Sequence, residues 1–197
     1  MPARRDFKRK GVGLRPYRKL YLIAAEGEKT EVQYFQKFNN RLSTVHIQFL
    51  KSKGKSAPPQ LLKRLIRYID EAGLKDTDEV WIVIDKDAWS DDQINALFDW
   101  SSKESNRGLA LSNPKFEYWL LLHFEDGMGV NSSRHCTERL RRHLPSYGKN
   151  IDTVSFTNDQ INDAIRRAQL RDTPPCEDWP RSPGCTTVYR LVKNLIT

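Results

Sequence analysis

The sequence predicts an α/β fold with a mainly parallel four-stranded sheet flanked by helices. Short apolar segments alternate with amphipathic ones along the first 125 residues, and this alternation is typical of strands joined by right-handed helical crossovers. The chain of 197 residues has 38% hydrophobic residues, ten glycines and ten prolines, which excludes disordered and collagen-like classes. Its length fits one domain with a small extension.

The four predicted strands are short, at residues 19–25, 45–50, 79–84 and 108–111. The second, VHIQFL, alternates apolar and polar residues, and the other three are almost continuously apolar. The clearest is the third, EVWIVI, which is rich in β-branched residues. Parallel strands with helices on both faces have this composition, because both faces of the sheet are buried.

Segments with apolar residues at helical spacing follow each predicted strand. In the second of them, Leu61, Leu65 and Ile69 lie on one face of a helix. In the fourth, Pro114 stands near the first turn, where proline is tolerated, and Asn113 is a candidate helix cap. Helices are predicted at 30–41, 60–72, 91–105 and 112–124, and after residue 125 at 134–144, 158–169 and 186–195.

Three regions follow from this pattern: a basic N-terminal arm at 1–18, the α/β domain at 19–125, and a mostly helical extension at 126–197 packed on the same domain. The sequence contains no apolar run of about 18 residues and no apolar secretory segment near its start. We therefore expect a cytoplasmic protein with no membrane partner.

The net charge of +8 is unevenly distributed, since residues 1–19 alone carry +7 and residues 70–104 carry −8. A basic segment of this kind can neutralise the phosphates of a polyanion and release its counterions, which makes nucleic acid the expected partner. A solvated tail beside an acidic surface helix is the alternative. The basic residues expected to bind nucleic acid in the arm are Arg4, Arg5, Lys8, Arg9, Lys10, Arg15 and Arg18.

Acidic residues follow two of the predicted strands. Glu26 ends the first strand, and Asp85 and Asp87 follow the third. Ligands of an open parallel sheet bind beyond the carboxyl ends of its strands, so these three carboxylates meet there if the two strands are neighbours. Such a set would repel strongly unless it bound a divalent cation, and hard oxygen ligands suit Mg²⁺ or Mn²⁺. An Asp-x-Asp sequence alone is more often a turn or a cap, but here it accompanies Glu26 and the flexible Gly27.

Further polar residues are candidates for supporting roles around these acids. Glu28, Glu31, Glu117 and Asn113 are candidates either to bind the metal ion directly or to hold the residues that bind it, although Glu31 and Glu117 are also ordinary acids for the first turn of a helix. Lys29 and Lys86 are close enough in sequence to these acids to contact a phosphate that binds there. The alternative for each lysine is a solvent-facing side chain.

The sequence contains no GxxxxGK[ST], GxGxxG or GxSxG motif. ATP binding, dinucleotide binding and serine-hydrolase chemistry are therefore not expected. If the function requires an ATPase, that ATPase is a partner protein.

Two segments together, KLYLIAAEGEKTE (19–31) and VWIVIDKD (80–87), resemble the Toprim domain of topoisomerases, primases and OLD-type nucleases. Over nearly the whole chain the sequence resembles the RloB family more closely. The specific segments are EGEKTEVQYF (26–35) and SNPKFEYWLLLHF (112–124), with the closing PGCTTVYRLVKNL (183–195).

The resemblance implies a Toprim or Rossmann-like fold and a nuclease that uses water as its nucleophile. It implies that Glu26 is a general acid/base or a metal ligand, and that Asp85 and Asp87 bind Mg²⁺ (or Mn²⁺). RloB genes accompany bacterial restriction and phage-defence loci, so the resemblance also implies a defence role. The alternative is a nucleic-acid- or partner-binding subunit of a defence complex that is catalytically silent until it is activated.

Overall fold

A five-stranded, mostly parallel sheet forms the centre of the computed structural model, which describes residues 18–39, 44–50, 57–86 and 89–197. The predicted α/β class is therefore confirmed. The strand order is β2-β1-β3-β4-β5. The strands are β1 (Lys19–Ala25), β2 (Val45–Phe49), β3 (Glu79–Asp85), β4 (Arg107–Asn113) and β5 (Cys185–Thr186).

The prediction of four strands is wrong by one, because the C-terminal extension adds β5 to the edge of the sheet. This strand pairs antiparallel with the end of β4, where Ser112 lies opposite Thr186 and Asn113 opposite Cys185. The Ser112 and Thr186 hydroxyls are 2.8 Å apart in a buried hydrogen bond. Two residues give too short a pattern to predict a strand from sequence.

Side chains from alternate strand positions form two separate cores, one on each face of the sheet. Tyr21 and Ile23 contribute to one core, and Leu22 and Ala24, between and beside them, contribute to the other. This follows from the two-residue period of a strand. Because both faces are buried, the central strands β1 and β3 are apolar along most of their length.

Seven helices lie among the described residues, and two of the predicted N-termini carry strong caps. Ser90 and Thr157 accept hydrogen bonds from the N–H groups of Gln93 and Gln160, and both glutamine side chains accept from the caps in return. The helices are α1 (Thr30–Gln36), α2 (Pro58–Ala72), α3 (Asp91–Ser101), α4 (Glu117–Leu121), α5 (Ser133–His143), α6 (Asn158–Arg171) and α7 (Val188–Ile196). Within the described ranges, none of them is long and apolar enough to cross a membrane.

Several predicted helix boundaries need correction. The fourth helix begins at Glu117 instead of 112, because residues 112–113 belong to β4 and pair with β5. Asn113 is therefore not a helix cap. The last helix begins at Val188, after β5, and α3 ends at Ser101 instead of 105. The helix predicted to reach residue 41 ends at Gln36, and 40–43 lie outside the described residues.

The order of the strands reverses between β1 and β3. From β1 the chain passes through α1 to β2 on one side, and it then returns through α2 to β3 on the other side of β1. A reversal of this kind leaves a crevice beyond the carboxyl ends of the two central strands, where ligands of such sheets bind. The first and third strands are neighbours, which is the condition under which the acids at their ends were expected to meet.

Within the C-terminal extension, a buried carboxylate links the end of α6 to α7 and to the loop between them. Asp172, which follows α6, is 5% exposed and accepts hydrogen bonds from Tyr189 Oη at 2.8 Å, Arg190 Nη2 at 2.9 Å and the Cys176 N–H at 2.8 Å. These donors hold the pKa of Asp172 below its ordinary value despite its burial.

We expect Asp172→Ala to lower the free energy of unfolding by about 3 kcal/mol, because it leaves the Arg190 charge and two other donors without their acceptor. Urea denaturation measures the change. Asp163→Ala is the control: the Asp163 side chain is 45% exposed and pairs with Arg166 and Arg167 on the same helix, so its loss should cost less than about 1 kcal/mol. Equal effects of the two substitutions would contradict the structural role of Asp172.

Candidate functional site

Glu26 directly follows β1 and faces the end of β3. Its backbone N–H continues the sheet by donating to the Val83 carbonyl at 3.0 Å. Its side chain is 9% exposed, and Oε2 accepts from the Trp89 indole Nε1 at 3.0 Å and from the Asp85 N–H at 3.5 Å. These donors orient the carboxylate at the crevice between the two strands.

Asp85 is the last residue of β3, and its carboxyl group bridges to the beginning of α4. Oδ1 accepts a hydrogen bond from the Phe116 N–H at 2.7 Å. The pKa of Asp85 is nevertheless raised well above its ordinary value, first by burial and then by the negative charges of Glu31, Glu117 and Glu26. The site therefore concentrates carboxyl groups that oppose each other's ionisation.

Glu31, in the first turn of α1, is buried against the Gly27 backbone. Burial is the main cause that raises the pKa of Glu31 to about 7, and the charges of Glu117 and Glu26 raise it further. A Cβ atom at position 27 would overlap the Glu31 carboxyl group. The space left by the missing side chain of Gly27 is thus occupied by this carboxyl group.

Glu117 is the first residue of α4 and is 3% exposed. Its Oε1 accepts a hydrogen bond from Tyr147 Oη at 2.8 Å, and Lys149 Nζ lies 4.0 Å from the same oxygen. Burial, followed by the Glu117 charge, raises the pKa of Tyr147, so this phenol stays protonated and donates.

These acids surround one cavity of about 250 Å³ at the carboxyl edge of the sheet. Its lining carries five carboxyl groups, two lysines and two small residues. They are Glu26, Glu28, Glu31, Asp85, Glu117, Lys29, Lys149, Gly27 and Thr30. Glu28 and Lys29 are exposed at the rim, and Thr30 is buried. The cavity lining thus includes Glu26, Asp85 and four of the predicted supporting residues, namely Glu28, Lys29, Glu31 and Glu117.

The carboxyl groups surround the cavity without converging on one point. Over the described residues, no group of three or more His, Cys, Asp or Glu side chains lies close enough to hold a metal ion as placed. Asp87, predicted to complete the set, lies outside the described residues. The donor chemistry itself fits a hard divalent cation, because carboxylate oxygens predominate and their repulsion would be relieved by positive charge.

Other predicted residues lie apart from the cavity lining or outside the described ranges. The Asn113 amide donates to the carbonyls of Pro180 and Arg181 at 3.1 and 2.9 Å, so it holds the C-terminal extension. Lys86 donates to the Trp89 carbonyl at 2.6 Å and pairs with Asp91 at 3.1 Å. Arg18 precedes β1, and the rest of the basic arm, with Arg4, Arg5, Lys8, Arg9, Lys10 and Arg15, lies outside the described residues.

Sequence reasoning missed three residues that contact these acids: Trp89, Tyr147 and Lys149. Trp89 follows the Asp-x-Asp segment by two residues, so its short distance in sequence from these acids could have identified it as a neighbour of the site. Tyr147 and Lys149 lie 30 and 32 positions after Glu117, in the loop between α5 and α6. Pro145, Ser146 and Gly148 mark that loop as a turn, and a turn signal does not indicate what the turn contacts.

Substitution of Glu31 by Gln should make unfolding less dependent on pH. The pKa of Glu31 is about 7 in the folded protein against an ordinary value of 4.5, so the folded state binds this proton more tightly. The resulting stability is fully present below pH 4.5 and is lost as the pH rises to 7. In metal-free buffer, we compare the free energy of unfolding of Glu31→Gln with that of wild type. Between pH 4.5 and 8 we expect this difference to shift in favour of the variant by on the order of 3 kcal/mol. Urea titrations at both pH values measure this gain.

Glu104→Gln provides the control for this titration, because Glu104 is exposed in the segment between α3 and β4 and lies outside the cavity lining. Its stability relative to wild type should not change between the two pH values. A Glu31→Gln protein that behaves like this control would contradict the buried, charge-opposed environment assigned to Glu31.

A double-mutant cycle tests the contact between Gly27 and Glu31. Gly27→Ala should destabilise the wild type by about 1–3 kcal/mol, since the added methyl group overlaps the Glu31 carboxyl group. In a Glu31→Ala background the same change should cost much less, because that group is gone. Thermal unfolding of the four proteins measures the coupling, and additive effects would refute the contact.

Comparison with known proteins supports the resemblance seen in the sequence. A sequence model described as RloB-like protein matches residues 21–195, which include the whole cavity lining and, among the described elements, all but the first two residues of β1 and the last residue of α7. No curated protein and no solved structure shows a significant match to the chain. Since the family model spans well over half of the sequence, the chain belongs to the RloB-like protein family.

Proposed function

We propose that this protein is a divalent-cation-dependent nuclease that hydrolyses phosphodiester bonds in DNA or RNA. The observation that carries the proposal is the shared cavity of Glu26, Glu31, Asp85 and Glu117 at the point where the strand order reverses. Buried acids that oppose each other's ionisation are unfavourable for folding, and such sites are characteristic of function.

The expected cofactor is Mg²⁺ or Mn²⁺, held by Glu26, Asp85 and Asp87. When bound, such an ion stabilises negative charge on the phosphate and lowers the pKa of a coordinated water molecule. Glu31 and Glu117 add further carboxylate oxygens to the same cavity. The clustering of hard oxygen donors, whose repulsion a cation would relieve, supports this choice.

In the proposed reaction, water attacks the phosphorus atom, one P–O ester bond breaks, and the leaving oxygen takes up a proton. Glu26 is suited to move a proton to or from these oxygens, because the indole of Trp89 and the Asp85 N–H hold one carboxylate oxygen in place. Asp85 and Glu117 are fixed by the Phe116 N–H and by Tyr147 respectively, so all three acids are positioned before substrate binds.

The basic arm and Lys29 are proposed to hold the nucleic-acid backbone. The arm carries most of the net positive charge, and Lys29 is exposed at the rim of the acidic cavity. Backbone contacts of this kind neutralise phosphates and are independent of base sequence. A role beside restriction or phage-defence systems, which the RloB resemblance implies, belongs to the same proposal.

A second candidate is a nucleic-acid- or partner-binding subunit that is catalytically silent until another defence protein or an ATPase activates it. The arrangement of the described acids favours this candidate in one respect: they surround the cavity without converging on a single point. A partner that shifts α1 or α4 would bring Glu31 or Glu117 toward Asp85, because these helices carry the two glutamates.

Asp85→Asn should lower Mg²⁺- or Mn²⁺-dependent cleavage of plasmid, single-stranded DNA or RNA by at least 100-fold, because the carboxylate at the centre of the site loses its charge. The folded state should keep its stability, since the change removes a charge that is unfavourable in the metal-free protein. Gel assays of cleavage with both ions and all three substrates measure the effect.

Asp99→Asn is the matched control, because Asp99 is exposed on α3 and outside the cavity lining. The Asp99→Asn protein should cleave each substrate at the wild-type rate. Equal cleavage by Asp85→Asn and wild type would show that Asp85 has no role in catalysis. If neither wild type nor control cleaves any substrate, the silent-subunit candidate replaces the nuclease.

A further inference from the structure

Lys149 has a backbone conformation that a lysine rarely adopts. Its φ of 69° makes it the one non-glycine residue with positive φ in the described part of the chain, where four glycines share that region. Left-handed backbone is costly for a residue with a Cβ atom, and glycine would adopt it freely. Residues kept in such conformations cluster at functional sites.

Three hydrogen bonds hold the loop of Lys149 against the site. Thr30 Oγ1 donates to the Lys149 carbonyl at 2.9 Å, and the Ile151 N–H donates to Gln33 Oε1 at 2.8 Å. Two residues earlier, Tyr147 donates to Glu117 at 2.8 Å. The loop is therefore fastened to α1 and α4, and the backbone of Lys149 is fixed at the cavity.

The side chain of Lys149, unlike its backbone, is free to meet a ligand. It is 68% exposed, and its Nζ is 4.0 Å from Glu117 Oε1, which is the limit of an ion pair. A loose ion pair of this kind contributes little to stability. It therefore does not explain why a lysine, and not a glycine, occupies this left-handed backbone position. The ammonium group lines the same cavity as Glu26 and Asp85.

We propose that Lys149 is a catalytic residue whose ammonium group contacts a non-bridging oxygen of the scissile phosphate over the carboxylate cavity. The inference rests on the proposed nuclease function and deepens it by naming a group from the C-terminal extension. In this position the lysine attracts an anionic substrate that the carboxylates alone would repel, and it stabilises the charge that develops on the phosphate.

Four variants test the proposal: Lys149→Met, Lys149→Arg and Lys149→Gly, with Lys193→Met as the control on the exposed end of α7. Cleavage with Mg²⁺ should fall at least 30-fold in the Met and Gly variants, recover in part in the Arg variant, and stay at the wild-type rate in the control. The melting temperature of Lys149→Gly should equal or exceed that of wild type, because glycine relieves the left-handed backbone.

Binding supplies a readout that does not need cleavage. Fluorescence anisotropy with labelled DNA and RNA oligonucleotides, in Ca²⁺ in place of Mg²⁺, gives the dependence of affinity on salt concentration. Loss of one phosphate contact should lower the slope of log K against log salt by about one for Lys149→Met. Lys193→Met should keep the wild-type slope.

These results separate the two proposals. Wild-type cleavage and slope in Lys149→Met would overturn the role of Lys149 and leave the nuclease intact. If the wild type binds oligonucleotides but does not cleave them, and Lys149→Met still has the lower slope, the phosphate contact is supported and the nuclease is overturned. A wild type that binds no oligonucleotide would overturn both, and a Lys149→Gly protein with a clearly lower melting temperature would assign the lysine to structure.

Discussion

The parallel pairing of β1 with β3 is the constraint on which the candidate site depends. Ala25 lies opposite Val83 in this register, and the Glu26 N–H continues the ladder to the Val83 carbonyl. The pairing therefore places the first residue after β1 next to the end of β3, at the crevice where the strand order reverses. A one-residue slip would exchange the two buried faces of β1, so the apolar cores on both sides of the sheet stabilise this register.

The same arrangement has a cost that the surrounding structure offsets. Acids that share a buried cavity oppose each other's ionisation, as the raised pKa values of Asp85 and Glu31 indicate. Backbone N–H groups, the Trp89 indole and the Tyr147 hydroxyl compensate in part by donating to these carboxyl groups. A bound cation would compensate more fully, which links the stability of the fold to the chemistry proposed for it.

The C-terminal extension takes part in both the sheet and the site. Its β5 pairs with the end of β4, and Asn113 secures the segment before β5 through two carbonyl groups. Its loop between α5 and α6 reaches back to α1 and to Glu117. The carboxylate cavity is thus walled by both the α/β domain and the extension, and neither part alone would hold Glu117 as it is held here.

The sequence by itself determined the α/β class, four of the strands, most of the helices and the acids that end β1 and β3, because periodicity and strand ends are local signals. The motifs in the sequence also indicated the family to which the chain belongs. Tertiary structure alone decided that β5 joins the sheet, that Asn113 binds the extension, and that Tyr147 and Lys149 lie at the cavity. These contacts join residues 30 or more positions apart, and no local pattern encodes which distant segments will pack together.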